Sequence, residues 1–236
     1  MIRPIRQIAS LTLSFGLLAG CSDEDNDSSL PADGIIAIDF AEDPAWGYGQ
    51  SDYSTSTAPV DVRFETLDLP APFSGRGLYA AGTNESDDLF LYIKHRVHGF
   101  EPNQRYALSY SVTFLTSAPA DCIGVGGAPG ESVYFKAGAS VVEPLTIEED
   151  GEFRMNVDKG NQAATGVDAL TIGDVAGTNT DCDNTAFEEK TLSSENPLDV
   201  TTDSEGALWL LLGTDSGYEA RTEIYYRRAE ITTTPN

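Results

Sequence analysis

The stretch Cys122 to Pro144, CIGVGGAPGESVYFKAGASVVEP, sets the reading of the whole chain. A glycine-rich turn leads into Ser132 to Val141. There Val133, Phe135, Ala137, Ala139 and Val141 share one side of an extended chain, and Ser132, Tyr134, Lys136, Gly138 and Ser140 share the other. That period of two marks a strand with one face in a core. An acidic hairpin follows it.

The same alternation recurs outward from this stretch. Ile36, Ile38 and Phe40 form one short run, and Val60, Val62 and Phe64 another. Leu89, Leu91, Ile93 and Val97 share a face, with Phe90 and Tyr92 opposite. The clearest strand is Tyr106, Leu108, Tyr110, Val112 and Phe114, whose intervening residues are small or polar. Phe153, Met155 and Val157, then Leu208 to Gly213, then Thr222 to Thr232 complete the series, and the last breaks alternation at Tyr225-Tyr226 as a bulge would. No window carries the apolar i, i+3, i+4, i+7 stripe of a substantial helix. Strands separated by Gly, Pro, Asn and Asp turns predict an all-β chain, an antiparallel β-sandwich of jelly-roll type.

The N-terminus reads as an address. Arg3 and Arg6 precede an apolar run, Ile8 to Leu18, which ends in Leu18-Ala19-Gly20-Cys21. The run falls short of the roughly 20 residues of a permanent membrane span. It resembles the signal of a bacterial lipoprotein precursor, with residues 1–20 removed and Cys21 lipidated. Ser22 after that cysteine implies the outer membrane of the envelope. Residues 21–33 are acidic, lack aromatics and read as a tether. Residues 34–236 then form a single domain. Cys122 and Cys182 remain as an even pair in an oxidising compartment, where a disulfide is the default.

Charge narrows the partners. The chain has 14 basic and 38 acidic residues and a net charge of −24. Such a balance disfavours nucleic acid and anionic membrane surfaces, so the expected membrane contact is the lipid anchor alone.

Two resemblances touch function. Gly99-Phe100-Glu101-Pro102-Asn103-Gln104-Arg105-Tyr106 followed by Leu108-Ser109-Tyr110 resembles the turn and strand of carbohydrate-binding jelly-roll modules. Thr222 to Thr232 resembles their closing strand, which implies the fold and a glycan or other surface ligand. Further blocks, among them Asn84 to Phe90, Gly126 to Val133 and Gly213 to Gly217, resemble a family of uncharacterised bacterial lipoproteins, which supplies no activity. Tyr134-Phe135-Lys136-Ala137-Gly138 and Arg221-Thr222-Glu223-Ile224 are similar to two strands of jelly-roll alginate lyases. Their order along the chain is reversed, the Gln-Ile-His motif is absent, and Ser140 stands where those enzymes have a tyrosine.

The candidate site residues follow from the strand reading. Pairing of the strand after the acidic hairpin with Ser132–Val141 would place Tyr134 and Lys136 beside Arg154 and Asp158 on one sheet face, a set able to hold a sugar or uronate by stacking and charge-assisted hydrogen bonds. Trp46, in a glycine-interrupted loop with Tyr48 and Tyr53, is a further candidate for stacking. Asp87, Asp88, Asp158 and Asp215 lie in acidic loops that offer the hard oxygen ligands of calcium. No nucleophile elbow, HExxH or Gly-Lys-Ser/Thr loop occurs. No catalytic residue is assigned. The expected function is a non-catalytic envelope lipoprotein that binds a glycan or other surface ligand, with calcium as a candidate cofactor. A polysaccharide-acting enzyme, lyase or hydrolase, and a structural or adhesive protein stay open beside it.

Overall fold

The computed structural model describes residues 34–42 and 46–236. The signal at 1–20, Cys21 and the 21–33 tether lie outside the described residues. The strands begin with β1 (Ile35–Asp39), β2 (Gly47–Ser51), β3 (Tyr53–Ser54), β4 (Val60–Asp68) and β5 (Arg76–Thr83). They continue with β6 (Leu89–Val97), β7 (Arg105–Thr116), β8 (Val133–Ser140), β9 (Thr146–Glu149) and β10 (Glu152–Met155). The last are β11 (Ala169–Asp174), β12 (Glu188–Ser193), β13 (Leu198–Thr201), β14 (Leu208–Ser216) and β15 (Arg221–Pro235). A single 3₁₀ turn, Thr55–Thr57, is the one helical element among the described residues.

Two antiparallel sheets face each other as a β-sandwich of jelly-roll type. One runs β12-β7-β15-β5-β4, with β1 added on β15 and β13 on β7; the other runs β11-β8-β14-β6-β2. Their inner faces are the alternating apolar sets of the sequence. Val133, Phe135, Ala137 and Ala139 of β8 are at most 1% exposed. They join Leu208, Leu210 and Leu212 of β14 and meet Val112, Phe114, Ile224, Tyr226 and Ile231 of the opposite sheet. The rings of Phe114 and Phe135 lie 5.0 Å apart and those of Phe135 and Tyr226 5.8 Å apart, which ties the sheets together. Burying each large apolar side chain there contributes about 1.5–3 kcal/mol. The bulge expected near Tyr225-Tyr226 is present as a register shift between Tyr226 and Arg228. It turns Arg227 and Arg228 both away from the core, between the buried Tyr226 and Ala229.

A third, smaller layer corrects the expected strand pairing. β8 is flanked by β14 and β11, whereas β10 pairs with β9 and β3 in a separate sheet. The β9–β10 turn has positive φ at Asp150 (52°) and Gly151 (83°), as a tight type I′ hairpin requires. This hairpin and the segment 156–168 rest on the outer face of the five-stranded sheet, where Met155 and Val157 pack with Phe90, Tyr92, Ala169 and Leu211. The Tyr92 hydroxyl meets Thr146 Oγ1 at 3.0 Å, and Lys94 Nζ donates to Glu143 at 2.7 Å and to the Pro144 carbonyl at 2.8 Å. Both faces of β8 and β14 are therefore covered.

Cys122 and Cys182 are joined by the expected disulfide, across a sequence separation of 60. It fixes the glycine-rich loop to the β11–β12 connection. Replacing both cysteines by serine should lower the unfolding free energy by about 4 kcal/mol, the loop-closure entropy of a loop this long. Urea denaturation measures this, and a loss under about 1 kcal/mol would show that the loop's own hydrogen bonds hold it instead.

Candidate functional site

The residues assigned to one ligand face are dispersed. Lys136 is fully buried on the outer side of β8, where its Nζ donates to the Ala164 carbonyl at 2.7 Å and to Thr171 Oγ1 at 2.8 Å. Arg154 stands exposed on β10, paired with Glu152 at 2.7 Å and 3.8 Å from Asp52, because its strand belongs to the third layer. Asp158 closes its own loop: one carboxylate oxygen accepts from Gly160 N at 3.0 Å and the other from Val167 N at 3.1 Å. Trp46 is buried, with its ring 5.2 Å from Phe40 and 5.3 Å from His95, and offers no face to a ligand. Of the set, Tyr134 alone lines a groove.

The calcium candidates separate in the same way. Asp87 is exposed beside Glu219, whose pKa it raises by hydrogen bonding, and Asp158 serves its loop. Asp88 and Asp215 do converge, joined by Asp52, with one oxygen of each carboxylate within 4.8 Å of the others. The cation among them is an ammonium group. Lys159 Nζ lies 2.7 Å from Asp215 Oδ2 and 2.8 Å from Asp52 Oδ2, and 4.8 Å from the centre of the Phe90 ring. Lys136 Nζ adds a second positive charge 3.7 Å from Asp215. Lys136 and Asp215 are 0% exposed, Lys159 4% and Asp52 7%.

Three carboxylates share the site with two buried ammonium groups, and the exposed Arg154 guanidinium approaches Asp52 at 3.8 Å. Burial above all, then the charges of Asp215 and Asp52, raise Asp88 from 3.8 to about 7, with Lys159 opposing. Burial lowers Lys136 to about 8, with Asp215 opposing. Burial also works against charged Lys159, but the attraction of Asp215 and Asp52 overcomes it and its pKa lies above the ordinary lysine value. The raised value favours a proton on Asp88. That proton supplies a donor to a site where Asp88 Oδ1 and Asp215 Oδ1 otherwise have no hydrogen-bond partner.

Two grooves open at opposite edges of the sandwich. One, of about 480 Å³, lies where β2 and β4 splay and is lined by Tyr48, Gln50, Val62, Arg63, Phe64 and Glu65. Tyr48 is 61% exposed and stacks on Phe64, rings 4.8 Å apart and 11° from parallel. The other, of about 510 Å³, runs over the edge strand β11 to the β12–β13 turn, with Tyr134, Thr171, Asp174, Ser194, Glu195 and Asn196 among its walls. Each sets an aromatic ring among hydrogen-bonding side chains. Both lie apart from the cluster of Asp52, Asp88, Asp215 and Lys159.

No protein family and no curated protein matches the sequence. Similar solved structures include the CBM22-1 xylan-binding domain of Xyn10C from Paenibacillus barcinonensis, at 9% identity over 84% of this chain and 92% of that one, with a TM-score of 0.38. The family 11 carbohydrate-binding module of the cellulase Lic26A-Cel5E of Clostridium thermocellum aligns at 9% identity over 86% of this chain and 97% of that one, with a TM-score of 0.39. TmCBM61, solved with β-1,4-galactotriose, aligns at 6% identity over 84% of this chain and 99% of that one, with a TM-score of 0.34.

Sequence reasoning passed over Asp52 and Lys159. One local signal pointed toward them: Gly138 and Ser140, on the supposed solvent side of β8, are small, as residues are where something packs on a sheet. The folded pKa of Asp88 is raised, so its neutral form is the favoured one. The stability it contributes is complete below about pH 3.8 and is lost as pH rises through about 7. Asp88→Asn, which keeps this position uncharged at every pH, should therefore raise stability at pH 8 by about 1–2 kcal/mol after allowance for partial exposure, with a smaller gain at pH 5. Urea denaturation at the two pH values tests this; equal gains at both would remove the proton from the account. Because Lys159 fills the cation's place, the melting temperature should be the same in chelator and in millimolar calcium. A rise of several degrees with calcium would place an ion among Asp52, Asp88 and Asp215.

Proposed function

We propose that this protein is a lipid-anchored, non-catalytic envelope protein that binds a glycan, with the Tyr48 groove as its principal contact surface. The observation that carries this reading is the exposed Tyr48 ring, held against Phe64 at 4.8 Å with Gln50, Arg63 and Glu65 alongside. A sugar ring offers an apolar C–H face and a rim of hydroxyls. A rigid aromatic plane flanked by amide, guanidinium and carboxylate groups is complementary to both. Stacking on Phe64 sets the ring in advance and lowers the entropy lost on binding.

Catalysis is not part of this reading. The lyase-like strand residue Lys136 is buried 3.7 Å from Asp215, and the arginine expected beside it belongs to another sheet. The lipobox at Cys21 supports the anchor and, with Ser22, the outer membrane. Calcium is not needed, since the converging carboxylates already hold ammonium groups.

A second reading places the ligand at the opposite edge, favoured there by the larger groove, whose lining includes Tyr134, Asp174, Glu195 and Asn196. Affinity-gel retardation on a panel of neutral and acidic polysaccharides, with unsaturated and reducing ends assayed together, decides between them. Tyr48→Ala should weaken retardation by about tenfold or more while Tyr134→Ala leaves it unchanged. The reverse pattern moves the site to β11. Release of new chain ends would overturn the non-catalytic assignment, and no retardation on any glycan would overturn glycan binding.

A further inference from the structure

The glycine-rich stretch ahead of β8 rests on the turn between β14 and β15. A Cβ at Gly124 would collide with the Tyr218 ring, so glycine there lets the loop lie against that ring. Glu219 N donates to the Val125 carbonyl and Gly217 N to the Ser132 carbonyl, each at 2.9 Å, which fastens loop and turn together. The Cys122–Cys182 disulfide ties the same loop to the β11–β12 connection, and Ala120 N donates to the Asn179 carbonyl at 2.7 Å. Segments remote in sequence are thus locked around the end of the sandwich where β15 begins.

At that end the seven-stranded sheet has a gap. The β7–β15 ladder stops at Thr116 and Ile224, whereas β15 stays paired with β5 as far as Arg221 and Thr83. The chain beyond β7 turns off toward the β11–β12 connection: Ala118 N donates to Thr116 Oγ1 at 3.1 Å, and the Ala118 carbonyl accepts from Gly177 N at 2.8 Å. One edge of Arg221–Glu223 is left without a strand beside it. It borders a cavity of about 220 Å³ whose walls include Pro119, Pro129, Asn184 and Tyr218. Arg221 and Glu223 line it as well, and both are held in place. Arg221 Nη2 donates to the Tyr79 hydroxyl at 2.9 Å, and that hydroxyl donates to Glu223 Oε2 at 2.5 Å.

We propose that this cavity binds a single N-acetylated sugar residue. Its volume lies below the roughly 300–1,000 Å³ of sites that hold drug-sized ligands, which suits one sugar ring. The free edge of β15 offers main-chain donors and acceptors of the kind that capture an added strand. Only Arg221–Glu223 are free, too short a run for an extended peptide but enough for one amide, and an acetamido group carries one N–H and one C=O. The Tyr218 ring and the prolines give an apolar surface for the sugar's C–H face and the acetyl methyl. Arg221, Glu223 and Asn184 offer donors and acceptors to its hydroxyls. Charge selects a neutral sugar. The loops 117–132, 175–187 and 217–220 contain Asp121, Glu131, Asp181, Asp183 and Glu219 and no lysine or arginine, so a uronate is repelled. The cavity is separate from the Tyr48 groove, and the inference stands whether or not that groove binds a glycan.

NMR titration of the folded protein with N-acetylglucosamine and N-acetylgalactosamine at millimolar concentration, against glucose, galactose and glucuronate, tests this. At least one acetamido sugar should shift the amides of Ser117, Tyr218 and Arg221–Glu223, and the parent hexoses and glucuronate should shift them at least tenfold less at equal concentration. Tyr218→Ala should weaken the binding by about tenfold or more, and Tyr48→Ala should leave it unchanged. Should Tyr218→Ala not fold, Arg221→Gln, at a partly exposed position, is expected to give a loss of similar size. No shift with either acetamido sugar overturns the site, and so do shifts centred on Tyr48 and Gln50 or on Tyr134. Equal responses to glucose and N-acetylglucosamine overturn the role of the acetamido group.

Discussion

The contact of Phe135 with Phe114 and Tyr226 is the constraint from which the architecture follows. These rings come from β8, β7 and β15, and they meet only if each strand turns its alternate apolar side chains toward the same plane. Once they do, the two sheets have a fixed separation and register, and the remaining strands add at the edges. The alternation that places Phe135 inward also forces Lys136 outward. In a two-layer protein Lys136 would then sit in water. Here the third layer covers it, and a charged residue becomes internal as a consequence of the residue next to it. The burial of Lys136 calls for a counter-charge, which Asp215 supplies from β14. Asp215 in turn recruits Lys159, and Lys159 recruits Asp52. The cluster is a chain of compensations, each charge held because the previous one needed it.

Much of the sandwich was legible because its strands are amphipathic. Ile36 and Ile38, Leu89 to Val97, Tyr106 to Phe114 and Leu208 to Gly213 each alternate, and each is a strand. β5 escaped notice because its central residues, Ala80, Ala81 and Gly82, are small and buried on both faces, so no contrast marks the period. β12 and β13 are edge strands whose mixed burial gives an equally weak pattern. The disulfide was readable from parity and compartment, and the bulge in β15 from a broken alternation. What alternation cannot state is which strand lies next to which. The turn after Pro144 suggested that β10 would return beside β8, yet Gly138 faces β11 and β14, two strands the hairpin does not contain.

The same limit explains the candidate sites. Asp52, Asp88, Lys159 and Asp215 are far apart in the chain and meet only through the topology, so no local spacing announces them. Trp46 illustrates a subtler error. Its glycine-flanked setting suggested an open loop, but those glycines belong to β2, and the indole fills the edge of the core against His95 while Tyr48, two residues on, takes the exposed position.

β15 pairs with β1, β5 and β7 at once, which makes the latest strand of the described chain the centre of the seven-stranded sheet. β5 and β7 have no ladder between them without it. During synthesis the first 220 residues can therefore form hairpins such as β9–β10 but cannot close the larger sheet. Nearly all of its pairings are long-range in sequence, so their loop-closure entropy falls due together, when Arg221 to Pro235 emerges. Closure of the seven-stranded sheet is thereby postponed until β15 is available, and until then the strand edges destined for β15 stand unpaired.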